Sequence, residues 1–282
     1  MDHSKITRKY LDLAYASKSQ SEKLDIYLPE KGDGPFPVII FIHGGGFSFG
    51  DKAENQVKPY MAGLEKGYAI VSLNYRMSGE AIFPAAVQDV KAAVRFLRAN
   101  AAKYKLDGGR FVAAGGSAGA NLVCLICTSG DSTVFDDASL GNAGVSSAVQ
   151  AGVSWYAPVD FGKLDEQLNQ NGFGPGTHDD ARSFESMYLG GQLSKLTSDK
   201  IQAANPVTYV TVNVPPMFIQ AGRNDHQVPW QQSELLANKI AAVAGKDWVQ
   251  FEVIEKADHI DPLFETDENM EKVFSFIDMA LR

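Results

Sequence analysis

Arg110-Phe111-Val112-Ala113-Ala114-Gly115-Gly116-Ser117-Ala118-Gly119-Ala120-Asn121-Leu122-Val123-Cys124-Leu125 changes its period at a single serine. As far as Ala114 the run is short, apolar and continuous, which is how a strand buried on both faces reads. Over residues 118–128 it is apolar at helical spacing. The junction, Gly115-Gly116-Ser117-Ala118-Gly119, is G-x-S-x-G with a strand before it and a helix after it, the context that gives this pentapeptide a mechanism. A tight strand-to-helix turn lifts the serine hydroxyl to the C-terminal edge of a sheet, and the glycines remove side chains that would strike strand or helix. The helix N-terminus then supplies positive potential for an anion. A glycine-rich turn that merely contains a serine is the alternative, and the flanking elements weigh against it.

Outward from this turn the same rhythm repeats. Pro37-Val38-Ile39-Ile40-Phe41-Ile42, Ala69-Ile70-Val71-Ser72-Leu73 and Pro216-Met217-Phe218-Ile219-Gln220-Ala221 are further apolar runs. Residues 24–28 alternate apolar and polar and stop at Pro29, which predicts a first strand with one face to solvent; residues 248–254 form a late strand. Helical patterns cover residues 55–66, 85–103, 231–244 and 264–281. Strands alternating with helices predict an α/β fold, a mostly parallel, doubly wound sheet flanked by helices. Residues 160–206 break the rhythm, rich in Gly, Asn, Asp and Ser with Phe161, Phe173, Phe184 and Tyr188 interspersed. Long insertions in compact domains usually cover a site, so a single domain over 1–282 with an inserted lid at about 160–206 is expected.

Composition narrows the function. Hydrophobic residues make up 45% of the 282 and charged residues 21%, as in an ordinary soluble globular chain. The net charge of −8, with Lys and Arg scattered, argues against nucleic acid as a partner. Met1-Asp2-His3-Ser4-Lys5 is polar with no apolar run behind it, so no signal peptide and no membrane anchor are expected. The two cysteines, Cys124 and Cys127, lie in an aliphatic helical stretch and read as buried thiols rather than a redox or zinc pair. A reducing, cytoplasmic setting follows as an expectation.

His43-Gly44-Gly45-Gly46 directly follows the apolar run ending at Ile42. Acyl transfer passes through a tetrahedral oxyanion, and backbone N–H groups aimed at it stabilise it without reorganising. A flexible turn is the plain alternative; a phosphate cradle is not supported, since no G-x-x-x-x-G-K-[S/T] follows. His43 itself reads as structural, holding the loop.

A serine hydroxyl needs a base. Of five histidines, His3 lies near the terminus, His43 belongs to the glycine loop, and His178 lies in the insertion beside Asp179 and Asp180. His226 and His259 both follow strands at the relevant edge. His226 adjoins Asp225, and adjacent side chains diverge, so these two are poorly placed as a pair. His259, after the late strand, gives the chain order serine, acid, histidine with Asp225 as the acid that fixes the imidazole. Asp258 and Asp261 are rival acids, but residues one and two positions away in one loop seldom reach the ring nitrogen. Asp225-His226 and Asp258-His259 also place carboxylates near imidazoles, yet their spacing matches no compact ligand motif, so no metal and no cofactor are expected.

These segments together resemble the hormone-sensitive-lipase-like and feruloyl-esterase-like branch of the α/β-hydrolases, nearly from end to end. The resemblance rests on Phe41 to Phe47 around His43-Gly44-Gly45-Gly46, on Asn74-Tyr75-Arg76, on Phe83-Pro84-Ala85 with Asp89, on Gly115 to Asn121, on Asp225 with Val228-Pro229, and on His259. It implies an α/β-hydrolase fold and a serine carboxylesterase, with Ser117, His259 and Asp225 as catalytic residues. By the same resemblance, the oxyanion would be held by the backbone N–H groups of Gly45, Gly46 and Ala118. Arg76 and Asp89 look like a structural pair. Phe47 stands where feruloyl-esterase-like relatives often carry tryptophan, and Gly116 where lipase relatives often carry an acid.

The expected reaction is hydrolysis of small, short-acyl esters through an acyl-enzyme, with Phe47 and Trp155 contacting substrate. An amidase, formamidase or prolyl-peptidase-like activity would use the same triad, and a non-catalytic binding protein on this fold is a further alternative. The partner expected is a small-molecule ester, without nucleic acid or membrane. A homo-oligomer through exposed aromatics of the insertion is the remaining expectation.

Overall fold

Residues buried on both faces build the middle of one sheet. The computed structural model describes residues 6–282. Its strands are β1 (Lys9–Ala14), β2 (Lys23–Tyr27), β3 (Phe36–Ile42), β4 (Ala69–Leu73), β5 (Leu106–Gly116), β6 (Ala151–Trp155), β7 (Met217–Gly222) and β8 (Val249–Ile254). They form an eight-stranded sheet in the order β1-β2-β4-β3-β5-β6-β7-β8. β1 and β2 run antiparallel, β2 is antiparallel to β4, and every later pairing is parallel.

Alternating residues feed two apolar layers, as the strand pleat requires. Val38, Ile40 and Ile42 of β3 join one layer with α1 (Ala85–Ala99), α2 (Ala118–Ser129) and α6 (Gln231–Val243). Ile39 and Phe41 join the other, with the 3-10 helix Asn55–Leu64 and α7 (Asp267–Ala280). This sandwiching is why the central strands lack polar alternation. Cys124 and Cys127 are free and buried in α2, and burial pushes the Cys124 thiol up to about 12.

Four local expectations are corrected. β2 does not face solvent: its polar residue Asp25 is buried and pairs at 2.9 Å with Lys52 Nζ, which also reaches Asp12, at the register irregularity within β1, at 2.9 Å. Residues 55–64 wind as a 3-10 helix around an internal Pro59, which has no N–H to give an α-helical ladder. α1 stops at Ala99 rather than running to 103. β1 and β6 are strands that no apolar run announces. In β6 the small residue is required, because a Cβ on Gly152 would lie 2.6 Å from Cys127 Sγ of α2.

The insertion between β6 and β7 carries α3 (Leu164–Gln170), α4 (Phe184–Leu189) and α5 (Ser198–Ala203). Phe161, Leu164, Tyr188 and Leu189 sink into the layer shared with α1 and α2. Two of its four aromatics, Phe161 and Tyr188, are therefore interior and unable to meet a second copy, whereas Phe184 is 40% exposed. No helix among the described residues is long and apolar enough to cross a membrane. His3 and the rest of residues 1–5 lie outside the described residues.

Candidate active site

Four loops leave the C-terminal ends of β3, β5, β7 and β8, and parallel pairing gathers them at one edge of the sheet. Each contributes one element of the site.

Ser117, between β5 and α2, has φ 55° and ψ −126°, a left-handed conformation that costs a non-glycine residue on the order of 1–3 kcal/mol. The surroundings impose it. Its N–H donates to the Trp155 carbonyl at 3.0 Å, and its own carbonyl accepts from Asn121 N–H at 3.0 Å. A Cβ on Gly119 would sit 2.1 Å from the Ile42 carbonyl oxygen, so helix and strand close on the serine only with glycine there.

The Ser117 hydroxyl lies 3.0 Å from His259 Nε2, and His259 Nδ1 lies 2.8 Å from Asp225 Oδ2. The other oxygen of Asp225 accepts the N–H groups of Gln227 (2.8 Å) and Val228 (2.7 Å), which fix the carboxylate. Tyr156 packs edge-on against the His259 ring at 4.7 Å and is itself backed by Phe264 at 4.7 Å. The structure thus brings together the three residues that the sequence singled out.

The glycine loop faces them. Gly45 (φ 111°) and Gly46 (φ 57°) adopt backbone conformations open to glycine, and a Cβ on Gly45 would lie 2.0 Å from the Phe49 carbonyl oxygen. Gly45, Gly46 and Ala118 line the same cavity of about 100 Å³ as Ser117 and His259. Ala118 opens α2, where the first N–H groups have no intrahelical partner. His43 points away: its Nδ1 contacts the Gly44 carbonyl at 2.8 Å and its ring stacks on Tyr75 at 4.6 Å. Burial holds its pKa below the ordinary histidine value. Arg76 grips Asp89 through Nε and Nη2, the latter at 2.6 Å, remote from the serine in sequence and role.

Phe47 lines the cavity, although Tyr188 stacks over its ring at 3.8 Å. Trp155 does not. Its indole is buried against Tyr60 and Phe264 beneath the site, and its contribution is the backbone carbonyl that receives Ser117 N–H. Asp258 is not the acid of His259: its carboxylate takes the His226 ring at 2.9 Å and the backbone N–H groups of His226 and His259. Burial works to raise the Asp258 pKa, but these N–H groups outweigh it and hold the carboxyl below its usual range. Among the described residues no group of three or more His, Cys, Asp or Glu is placed to hold a metal ion.

Sequence reasoning passed over one part of the site. His178, Phe184 and Glu185 of the insertion line the serine cavity and also an adjoining cleft of about 610 Å³, whose walls include Asp180, Arg182 and Gln227. No motif marks them, because their position depends on Phe161 and Tyr188 anchoring the insertion.

The parallel sheet with its antiparallel β1 and β2, the serine elbow, and the acid and histidine after β7 and β8 define the α/β-hydrolase fold. The BD-FAE family model matches residues 24–240, and the chain belongs to that family. It is 29% identical over 86% of its length to the probable carboxylic ester hydrolase LipM of Mycobacterium tuberculosis, covering 54% of that protein. The chain thus spans about half the length of LipM and of the esterase LipQ, of which it covers 58%. Among solved structures, a bifunctional GH43-CE protein of Bacteroides eggerthii superposes with a TM-score of 0.86 at 30% identity over 98% of this chain and 35% of that one. A truncated carbohydrate esterase from gut microbiota gives 0.85 at 27% identity, covering 98% of this chain and 96% of the other.

Proposed function

We propose that the protein is a serine carboxylesterase. The observation that carries this reading is the continuous hydrogen-bonded chain from Ser117 Oγ through His259 to Asp225. Ser117 attacks the acyl carbon as His259 Nε2 takes its proton, and Asp225 keeps the other ring nitrogen protonated and steadies the imidazolium. The oxyanion rests on the N–H groups of Gly45, Gly46 and Ala118. Collapse expels the alcohol with the proton held by His259. Water, activated by the same imidazole, then releases the acid from the acyl-enzyme.

The cavity of about 100 Å³ at the serine supports a short acyl group, and the wider, polar cleft beside it supports a hydrophilic alcohol. The carbohydrate esterase relation supports a sugar hydroxyl as that alcohol, the substrate being an acylated sugar. Fluorophosphonate labelling tests the nucleophile: wild type should label and Ser117→Ala should not. Turnover should favour acetyl over octanoyl p-nitrophenyl esters and exceed that of matched anilides and N-formyl compounds. Faster anilide cleavage would overturn the ester assignment in favour of an amidase.

A further inference from the structure

His178 lies in the insertion between α3 and α4 with its side chain 16% exposed, and both ring nitrogens meet acceptors. Nδ1 is 3.0 Å from Glu185 Oε2, and Nε2 is 2.9 Å from the Gln227 carbonyl oxygen. A carbonyl and an ionised carboxylate can only accept, and a neutral imidazole has one N–H to donate. Nε2–H donates to Gln227, while Glu185 Oε2, buried with no hydrogen-bond donor of its own among the described residues, is left facing Nδ1 as an ion-pair partner that the imidazolium neutralises.

The two acceptors belong to different parts of the site. The Gln227 carbonyl shares its peptide unit with the Val228 N–H, which donates to Asp225 Oδ1, so one peptide unit separates the His178 ring from the acid of the triad. Glu185 is 4% exposed and follows Phe184, whose ring lies against Gly46. On α3, Asp165 accepts the N–H groups of His178 and Asp179, which fixes the backbone that carries the ring. We infer that the His178–Glu185 pair latches the insertion onto the Asp225 loop, making His178 a positioning residue for the ester hydrolysis proposed above, on which this inference rests.

The groups around the ring favour its charge. Burial alone lowers the His178 pKa, but Glu185 on α4 and Asp165 on α3 outweigh it, and the result lies above the ordinary value of 6.5. Asp179 and the cleft residues Asp180 and Arg182 flank it on the insertion, and Asp225 and His259 lie beyond Gln227 on the loops after β7 and β8. A raised folded pKa means that the stability contributed by the charged pair is fully present below the unfolded value and is lost as pH rises through the folded one, whereas a neutral ring still has Nε2–H to donate to Gln227. Weakening of the latch therefore belongs to the alkaline side.

Two measurements on the full chain test this. Long-range proton–nitrogen correlation spectra of protein labelled at histidine, with the His178 signals assigned by their loss in His178→Gln, should show both ring nitrogens protonated at pH 7. Glu185→Gln should move that titration to lower pH. With p-nitrophenyl acetate, His178→Gln should lower kcat/KM roughly tenfold, the effect of losing a charge-assisted hydrogen bond, and remove an alkaline fall that wild type shows. Fluorophosphonate should still label Ser117 in both variants. A neutral His178 ring at pH 7, or a kcat/KM profile of His178→Gln superimposable on wild type, overturns the latch. A doubly protonated ring in a wild-type protein that neither labels nor cleaves any ester overturns the positioning role together with the esterase reading, and the spectra alone show which half failed.

Discussion

Two histidine–aspartate pairs stand at the same sheet edge with nearly the same geometry. His259 and Asp225 are 2.8 Å apart with side chains 3% and 0% exposed; His226 and Asp258 are 2.9 Å apart with side chains 55% and 50% exposed. Each aspartate pairs across to the histidine of the other loop, not to its own neighbour in sequence. The difference lies in what the second ring nitrogen meets and in how much water surrounds the pair. His259 reaches the Ser117 hydroxyl, whereas the His226 ring rests on Phe173 at 4.1 Å. Two similar dyads thus differ in role because one is shielded from water and directed at Ser117, whereas solvent screens the other.

That contrast can be broken first at the buried pair. Ser117→Ala and His259→Ala should each lower kcat on p-nitrophenyl acetate on the order of 10⁴-fold or more, with the circular dichroism spectrum unchanged. Asp225→Asn should cost roughly 10⁴-fold, because the amide presents the wrong partner to Nδ1 and turns the tautomer. Its exposed counterpart should behave otherwise: Asp258→Asn, which leaves the Ser117–His259 contact in place, should lower kcat by less than about tenfold, the scale of a solvent-screened surface pair. Equal losses in Asp225→Asn and Asp258→Asn would mean that burial does not separate the dyads.

The smallest effect concerns stability. The Asp258 carboxyl is held below its usual range, so its contribution is present above the unfolded value and lost as pH falls through the folded one. Half-exposed charges keep little of that, at most about 1 kcal/mol. Urea midpoints should therefore show Asp258→Asn slightly less stable than wild type at neutral pH and equal to it in strong acid. A deficit that grows as the pH falls would contradict this sign.

The readable parts of the chain are those where local pattern and burial coincide. β3, β4 and β7 announce themselves because both pleat faces are covered, and the serine turn does so because its glycines are demanded by the Ile42 carbonyl. The crossing of Asp225 to His259 follows from chain order and from the divergence of adjacent side chains. β6 stayed hidden because α2 packs so tightly on Gly152 that bulky apolar residues are excluded. Had residues 151–155 been read as a strand, parity would have put Trp155 beside Val153 on the α7 side, away from substrate. His178 and Glu185 were illegible for another reason: tertiary anchoring of the insertion, rather than any spacing, carries them to the serine.

The Phe184 ring occupies the place a methyl group on residue 46 would take, with its Cγ 2.4 Å from that position. The two sites are consequently epistatic: glycine at one permits the large aromatic at the other, and a branched or even methyl-bearing residue at 46 demands something slimmer at 184. Transplanting a relative's insertion without its matching glycine loop would therefore import a steric conflict at the wall of the serine cavity, so the pair is the natural unit for recombination.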